Sequence, residues 1–219
     1  MAKMDSGIIR VNGYLVAFSV GLFVLAMIAV QAAYPCTNGV CYNPLTNPIS
    51  DLGNTSTSPL WPVFNYTIVM FGLLTIFGIL RLMGLFATRA GVVGMALLVA
   101  AMLGAMGVGI VPENTILPIH SLFALIAFGL SGPAAILIGY SRLNTKPSWY
   151  PRFSILMGAL TLLAFLVFVA PQFGLIPAWK IAGGSFGFGG AERLIVAPVL
   201  LWLLITGLFA DRMAVTKSQ

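Results

Sequence analysis

The sequence predicts an all-α fold, an integral membrane bundle of six transmembrane helices with both termini cytoplasmic. Three observations predict it. Six apolar stretches of about twenty residues occupy most of the 219-residue chain. Hydrophobic residues make up 59% of it and charged residues only 7%, where a soluble domain carries about 25% charged residues. The basic residues also segregate to one side when the stretches are threaded alternately through a layer. A water-soluble core cannot hide that much apolar surface, so lipid has to be the solvent for most of it. No polar stretch exceeds about thirty residues, so a single transmembrane domain, residues 1–219, is expected.

The first span, residues 11–33, is too long and has too many successors to be a simple cleaved signal peptide. An outer loop, residues 34–61, leads to the second span, residues 62–80. The third, residues 90–111, carries Ala96, Ala100 and Gly104 at four-residue spacing, with Ala101, Ala105 and Gly109 beside them. Small residues at that period let helix backbones approach closely in lipid. They place this span centrally in the bundle, with a homodimer interface as the alternative. The fourth span, residues 117–140, has His120 in its first turn, and the fifth covers residues 153–170. The sixth, residues 191–210, opens on Glu192 and Arg193, directly after the glycine-rich run Gly183 to Gly190. At a rise of about 1.5 Å per residue, each is about long enough to cross the hydrocarbon core.

Lys3, Arg10, Arg81, Arg89, Arg142, Lys146, Arg152, Arg212 and Lys217 fall on one side of this arrangement, and Lys180 and Arg193 on the other. By the positive-inside rule the first group faces the cytoplasm of a cell whose plasma membrane the chain crosses. An odd number of spans would scramble the segregation. The net charge of +6 is scattered between spans, so it orients the protein and does not point to nucleic acid. Cys36 and Cys41, the only cysteines, lie in the outer loop as Cys-Thr-Asn-Gly-Val-Cys. A local disulfide closing a tight turn is expected on an oxidising side, with free thiols as the alternative.

The informative polar residues are few. Asp51, Glu113 and Glu192, with the only histidine, His120, all map to the outer membrane face. Ionisable groups at that level are costly, and a bundle of six helices is narrow enough for them to converge on one pocket. One histidine with carboxylates suits a general base oriented by an acid, or a divalent metal held by His120, Asp51 and Glu192. Asp51, Glu113, His120 and Glu192 are therefore the catalytic candidates. Ser50 offers a hydroxyl beside Asp51 for a serine–histidine–acid hydrolase, but it lacks the Gly-x-Ser-x-Gly setting of a nucleophile elbow. The structural alternative is a network in which Glu192 pairs with Arg193 or caps a helix, and Asp51 caps a short loop helix.

The glycine-rich run has its own two readings. Its amides, with Lys180 and Arg193, would cradle an anionic lipid head group, or the run is a re-entrant loop. No Gly-Lys-Ser or Gly-Lys-Thr follows it, so it is not a nucleotide loop. Ser50, Asn54, Arg193 and Lys180 are the ligand-binding candidates, and Asn54-Thr-Ser is also a glycosylation sequon.

Ser50-Asp51-Leu52-Gly53, Phe64-Asn65, His120 and Gly190-Ala191-Glu192-Arg193 together resemble the signature of a polytopic family, domain-of-unknown-function family 998, seen mainly in archaea and bacteria. The resemblance implies a helical bundle of about this span number and implies that these residues are the family's hallmark. It supplies no reaction.

Two functions follow as expectations. One is a protein that binds a lipid or other amphiphile at the outer leaflet, or a lipid-modifying hydrolase acting there, with membrane lipids as its partners. The other is a non-catalytic accessory subunit that docks on other membrane proteins. A transporter fits less well, because no charged residue sits mid-span and the internal prolines are limited to Pro133 and Pro198. The same lack of a polar lining disfavours a channel.

Overall fold

A computed structural model describes residues 6–36, 41–173 and 187–215. Six long helices run in order: α1 Ser6–Ala32, α2 Trp61–Arg81, α3 Arg89–Ile110, α4 Leu117–Tyr140, α5 Trp149–Val169 and α6 Phe188–Leu208. A short α7, Ala210–Val215, follows. Single 3-10 turns occupy Ser50–Gly53, Met83–Phe86 and Ala170–Phe173. All six long helices have the length and apolar character to cross a membrane, so the chain is a multi-pass membrane protein.

Two helices begin earlier than hydropathy alone predicts, each for a local reason. α5 starts at Trp149, upstream of the expected residue 153, because Pro151 falls in its first turn, where a missing N–H costs nothing. α6 starts at Phe188 instead of residue 191, taking Gly189 and Gly190 into the helix. Its first amides, which have no partner within a helix, are capped from outside. Gly187 and Gly190 donate to the Leu45 carbonyl at 2.8 and 2.9 Å, and Gly189 to Thr46 at 3.4 Å. A side chain at Gly189 would strike the Asn47 and Pro44 carbonyls, so only glycine lets the loop lie this close.

Each helix packs on the next, and α6 packs back on α1, so the bundle closes into a ring. This corrects the expected central place of the third span: α3 is one ring member between α2 and α4. Its small residues serve both neighbours. Gly109 faces Asn65 and Ile68 of α2, and Gly104 faces Phe123 and Ala127 of α4. The stripe of Ala101, Ala105 and Gly109 is buried, whereas Ala96 is exposed.

The ring sorts charge by end. Arg10, Arg81, Arg89, Arg142, Lys146, Arg152 and Arg212 lie at one end, hereafter the basic end, while Lys3 and Lys217 are outside the described residues. Asp51, Glu113, His120 and Glu192 lie at the other, the acidic end. At the basic end Arg142 is 2% exposed and ties three segments together. Its Nη1 donates to the Leu85 carbonyl at 2.7 Å and its Nη2 to that of Met213 at 2.9 Å. Its guanidinium also lies over the Phe86 ring. Arg10 and Asp211 make an exposed ion pair at 3.3 Å between α1 and α7, worth little by itself.

Candidate functional site

The acidic end is built by a loop strapped across the start of α6. Cys36 and Cys41 are joined as a disulfide with a Cα–Cα distance of 4.1 Å, and the turn between them lies outside the described residues. Next to the bridge, Tyr42 packs on Tyr34 and donates its hydroxyl hydrogen to the Pro48 carbonyl at 2.8 Å. Burial pushes the Tyr42 phenol up to about 12, against the pull of the neighbouring Arg193. Its oxygen is thus free to accept from Arg193 Nη2 at 2.7 Å. Arg193 Nη1 donates to the carbonyls of Asn47 and Gly189, both at 3.0 Å.

Glu192 completes the strap. One carboxyl oxygen accepts the Ile49 backbone N–H at 2.6 Å, and the side chain is 7% exposed. The expected pairing of Glu192 with Arg193 is therefore not made. The two neighbours turn to different parts of the loop. Ile49 leads straight into the 3-10 turn Ser50–Gly53, so Glu192 positions Ser50 as well.

Asp51 sits in that turn, accepting from Asn47 Nδ2 at 3.0 Å and lying within hydrogen-bonding reach of Glu113. Burial, and then the adjoining Glu113 carboxyl, raise the Asp51 pKa from 3.8 to about 6. Glu113, in the loop after α3, accepts from Asn54 Nδ2 at 3.3 Å. Asn54 thus links two loops through its amide nitrogen. Asn114 fastens the same loops through Thr55 and Ser56. From α2, Asn65 donates to the Gly53 carbonyl at 3.0 Å.

His120, in the first turn of α4, is 6% exposed. Its Nδ1 is 2.8 Å from the Val111 carbonyl. A carbonyl can only accept, so Nδ1 carries the proton and Nε2 of the neutral ring is left as an acceptor. Nε2 has no hydrogen-bond partner among the described residues.

Two cavities meet at these groups. The first, about 90 Å³, runs inside the ring between α1, α2, α3, α4 and α6. Its wall is apolar apart from Ser50, His120, Ser131 and Glu192, and the Ser131 hydroxyl is already bonded to the Ala127 carbonyl. The second, about 170 Å³, lies between α4, the end of α5 and α6, and adds Glu113 and Ser121. Ser50, His120, Ala124, Phe128 and Glu192 belong to both walls. The rim of the second cavity includes Leu117 at 58%, Leu125 at 41% and Phe188 at 48% exposure, apolar side chains on the lipid-facing flank of the bundle.

The structure therefore gathers Ser50, Glu113, His120 and Glu192 around shared space, with Asp51 behind Glu113. It turns Arg193 into the loop, away from both cavities, and Lys180 lies outside the described residues. The amides of Gly187, Gly189 and Gly190 are occupied by backbone carbonyls, which closes the described part of the glycine run as an anion cradle. Among the described residues, no three His, Cys, Asp or Glu side chains are gathered to hold a metal ion. The divalent-metal reading of His120, Asp51 and Glu192 thus lacks a ligand set. Sequence reasoning passed over Tyr42, Asn47 and Asn114, which carry ordinary turn-forming residue types, and over Ala124 and Phe128, which look like plain helix packing.

Comparison with known families places this geometry. The chain belongs to a family of proteins of unknown function, DUF998, whose family model matches residues 17–208. The matched range contains the residues on which the resemblance rests, from Ser50 to Arg193, and these lie at one end of the ring. No curated protein and no solved structure matches the chain.

Proposed function

The family assigns no reaction, and we propose from the geometry that the protein binds an amphiphile drawn from the bilayer. The tail occupies the apolar cavity inside the ring, and the polar head lies against Ser50, Glu113, His120 and Glu192. The observation that supports this reading is the shared wall of the two cavities: Ser50, His120 and Glu192 stand where the apolar space inside the ring meets a second space with a more polar lining. Ligand sites have that mixed lining, mostly apolar with a few convergent polar groups. An apolar cavity left empty is costly. At ~24 cal/mol per Å³, one of about 90 Å³ costs about 2 kcal/mol, a cost that an occupant removes. The exposed rim of Leu117, Leu125 and Phe188 gives a lipid a sideways entry. In this reading the basic end faces the cytoplasm, as the positive-inside rule favours, and the site lies at the outer leaflet.

Hydrolysis is the reactive version of the same site, with Ser50 as nucleophile and His120 Nε2 as base. The His120 ring is oriented by a backbone carbonyl and not by a carboxylate, so binding is the better supported reading. The accessory-subunit reading draws on a different observation, that Glu192 and Arg193 fasten a loop. Native mass spectrometry with lipid analysis separates these readings. Wild type is expected to retain a lipid-sized adduct, and both Ala124→Trp, which fills the shared wall, and His120→Ala are expected to lose it. A wild type that carries nothing, even when lipid is added back, would favour the accessory subunit. Release of free acyl chains by wild type but not by Ser50→Ala would favour the hydrolase.

A further inference from the structure

Resting on the amphiphile reading, the geometry points to the chemistry of the head. We infer that the site selects a long-chain amphiphile whose head donates hydrogen bonds and bears no negative charge, an alcohol or an amine, and rejects carboxylate and phosphate heads. Three observations carry this.

The first is an inventory of open atoms in the shared wall. His120 Nε2 is an acceptor, because Nδ1–H is committed to Val111. One carboxyl oxygen of Glu192 is committed to Ile49 N–H, and the other has no hydrogen-bond partner among the described residues. Both side chains are more than nine-tenths buried, at 6% and 7% exposure, and both line the two cavities. These two side chains are buried but keep one polar atom each open to the cavities, so a head that donates to His120 Nε2 is the complement this wall offers.

The second is that the cation and amides of this end are already in use. Arg193 spends its Nη groups on Asn47, Gly189 and Tyr42, and lines neither cavity. The amides that open α6 are bonded to Leu45 and Thr46. Helix N-termini and arginines are the usual holders of anions, and here neither faces the cavity.

The third is the charge behind the wall. Glu113 lines the second cavity with Asp51 in hydrogen-bonding reach of it, so an anion entering between α4 and α6 meets a pair of carboxyl groups. Like charges brought together in a site of low polarity disfavour the complex and give selection by rejection.

The test is a competition experiment on the full chain in nanodiscs, using a fluorescent alkyl probe seated in the cavity. Four competitors share one saturated chain and differ in the head: primary alcohol, primary amine, carboxylate and phosphate. The alcohol or the amine is expected to compete at least about tenfold more tightly than either anion, a difference of about 1.4 kcal/mol. Glu192→Gln should shrink the margin of the amine while sparing the alcohol, because the glutamine oxygen can still accept from Ile49. Glu113→Gln, a variant outside the helices, should relax rejection of the anions. An anion that binds as tightly as the alcohol and the amine overturns the head-group inference and leaves the amphiphile reading intact. A wild type that binds neither the probe nor any competitor overturns the amphiphile reading itself.

Discussion

The two ends of the ring bury charge in opposite ways. At the basic end Arg142, 2% exposed, sends its two terminal nitrogens to the carbonyls of Leu85 and Met213, and neither cavity reaches it. At the acidic end Glu192, 7% exposed, uses one oxygen on Ile49, and His120 uses one ring nitrogen on Val111. Each keeps a second polar atom open beside a cavity. Burial alone therefore does not mark a site. A buried charge whose terminal groups are spent on backbone is a fastener, whereas one with an open atom next to space is a receptor for something absent from the chain.

The largest effect is expected at the fastener. Arg142→Met would leave two buried carbonyls without donors, at about 1–3 kcal/mol each, and would loosen the join between α4, the Met83–Phe86 turn and α7. A large fall in thermal unfolding temperature should follow, with little change in amphiphile retention by protein kept below its transition. Arg142→Lys should rescue only part of the loss, since one ammonium cannot reproduce a fork that reaches two carbonyls. If Arg142→Met unfolds at the wild-type temperature, the contrast between the ends fails on its structural side.

Glu192 is expected to show both behaviours. Glu192→Ala removes the acceptor of the Ile49 N–H and should cost about 1–3 kcal/mol of stability, together with loss of the bound amphiphile. Glu192→Gln keeps that bond and should unfold close to wild type while its ligand selection changes. His120→Ala sits further towards function. It should cost about 1 kcal/mol, because it removes the donor to one carbonyl at a loop end, yet abolish amphiphile retention. Thermal shift and lipid mass spectrometry on the same samples read both effects. Equal loss of stability and binding across all three variants would erase the distinction between fastener and receptor.

How much of this was written in the sequence differs between the two ends as well. The spans, their number and the clustering of Asp51, Glu113, His120 and Glu192 were legible, because lipid makes every polar residue near a span conspicuous. Arg142 was read as an orienting surface charge, since it sits among Arg81, Arg89 and Arg152 and nothing local marks it as buried. Its role depends on Leu85 and Met213, 57 and 71 residues away along the chain. The same distance problem hid the direction of Arg193. Adjacency suggested an ion pair with Glu192, but consecutive helical residues point about 100° apart, so they met different parts of the loop. The small residues of α3 announced close packing without saying against which neighbour. Closure of the ring, which gives α3 two ordinary neighbours, came from the contact of α6 with α1.

The smallest expected effect lies at the rim, where Asp51 and Glu113 face each other. The folded-state pKa of Asp51 is raised to about 6, by burial first and by Glu113 second, from an ordinary 3.8. Between those values the folded chain holds a proton that the unfolded chain has released. Stability from this group is therefore present below about pH 4 and declines as pH rises through about 6. A modest gain in unfolding temperature is expected on acidification across that window. Asp51→Asn should reduce the gain, since it removes one titrating group of the cluster and leaves the amide to bond Glu113. If Asp51→Asn keeps the full pH dependence, the rim carboxyls are not coupled, and the acidic face offered to an incoming anion rests on Glu113 alone.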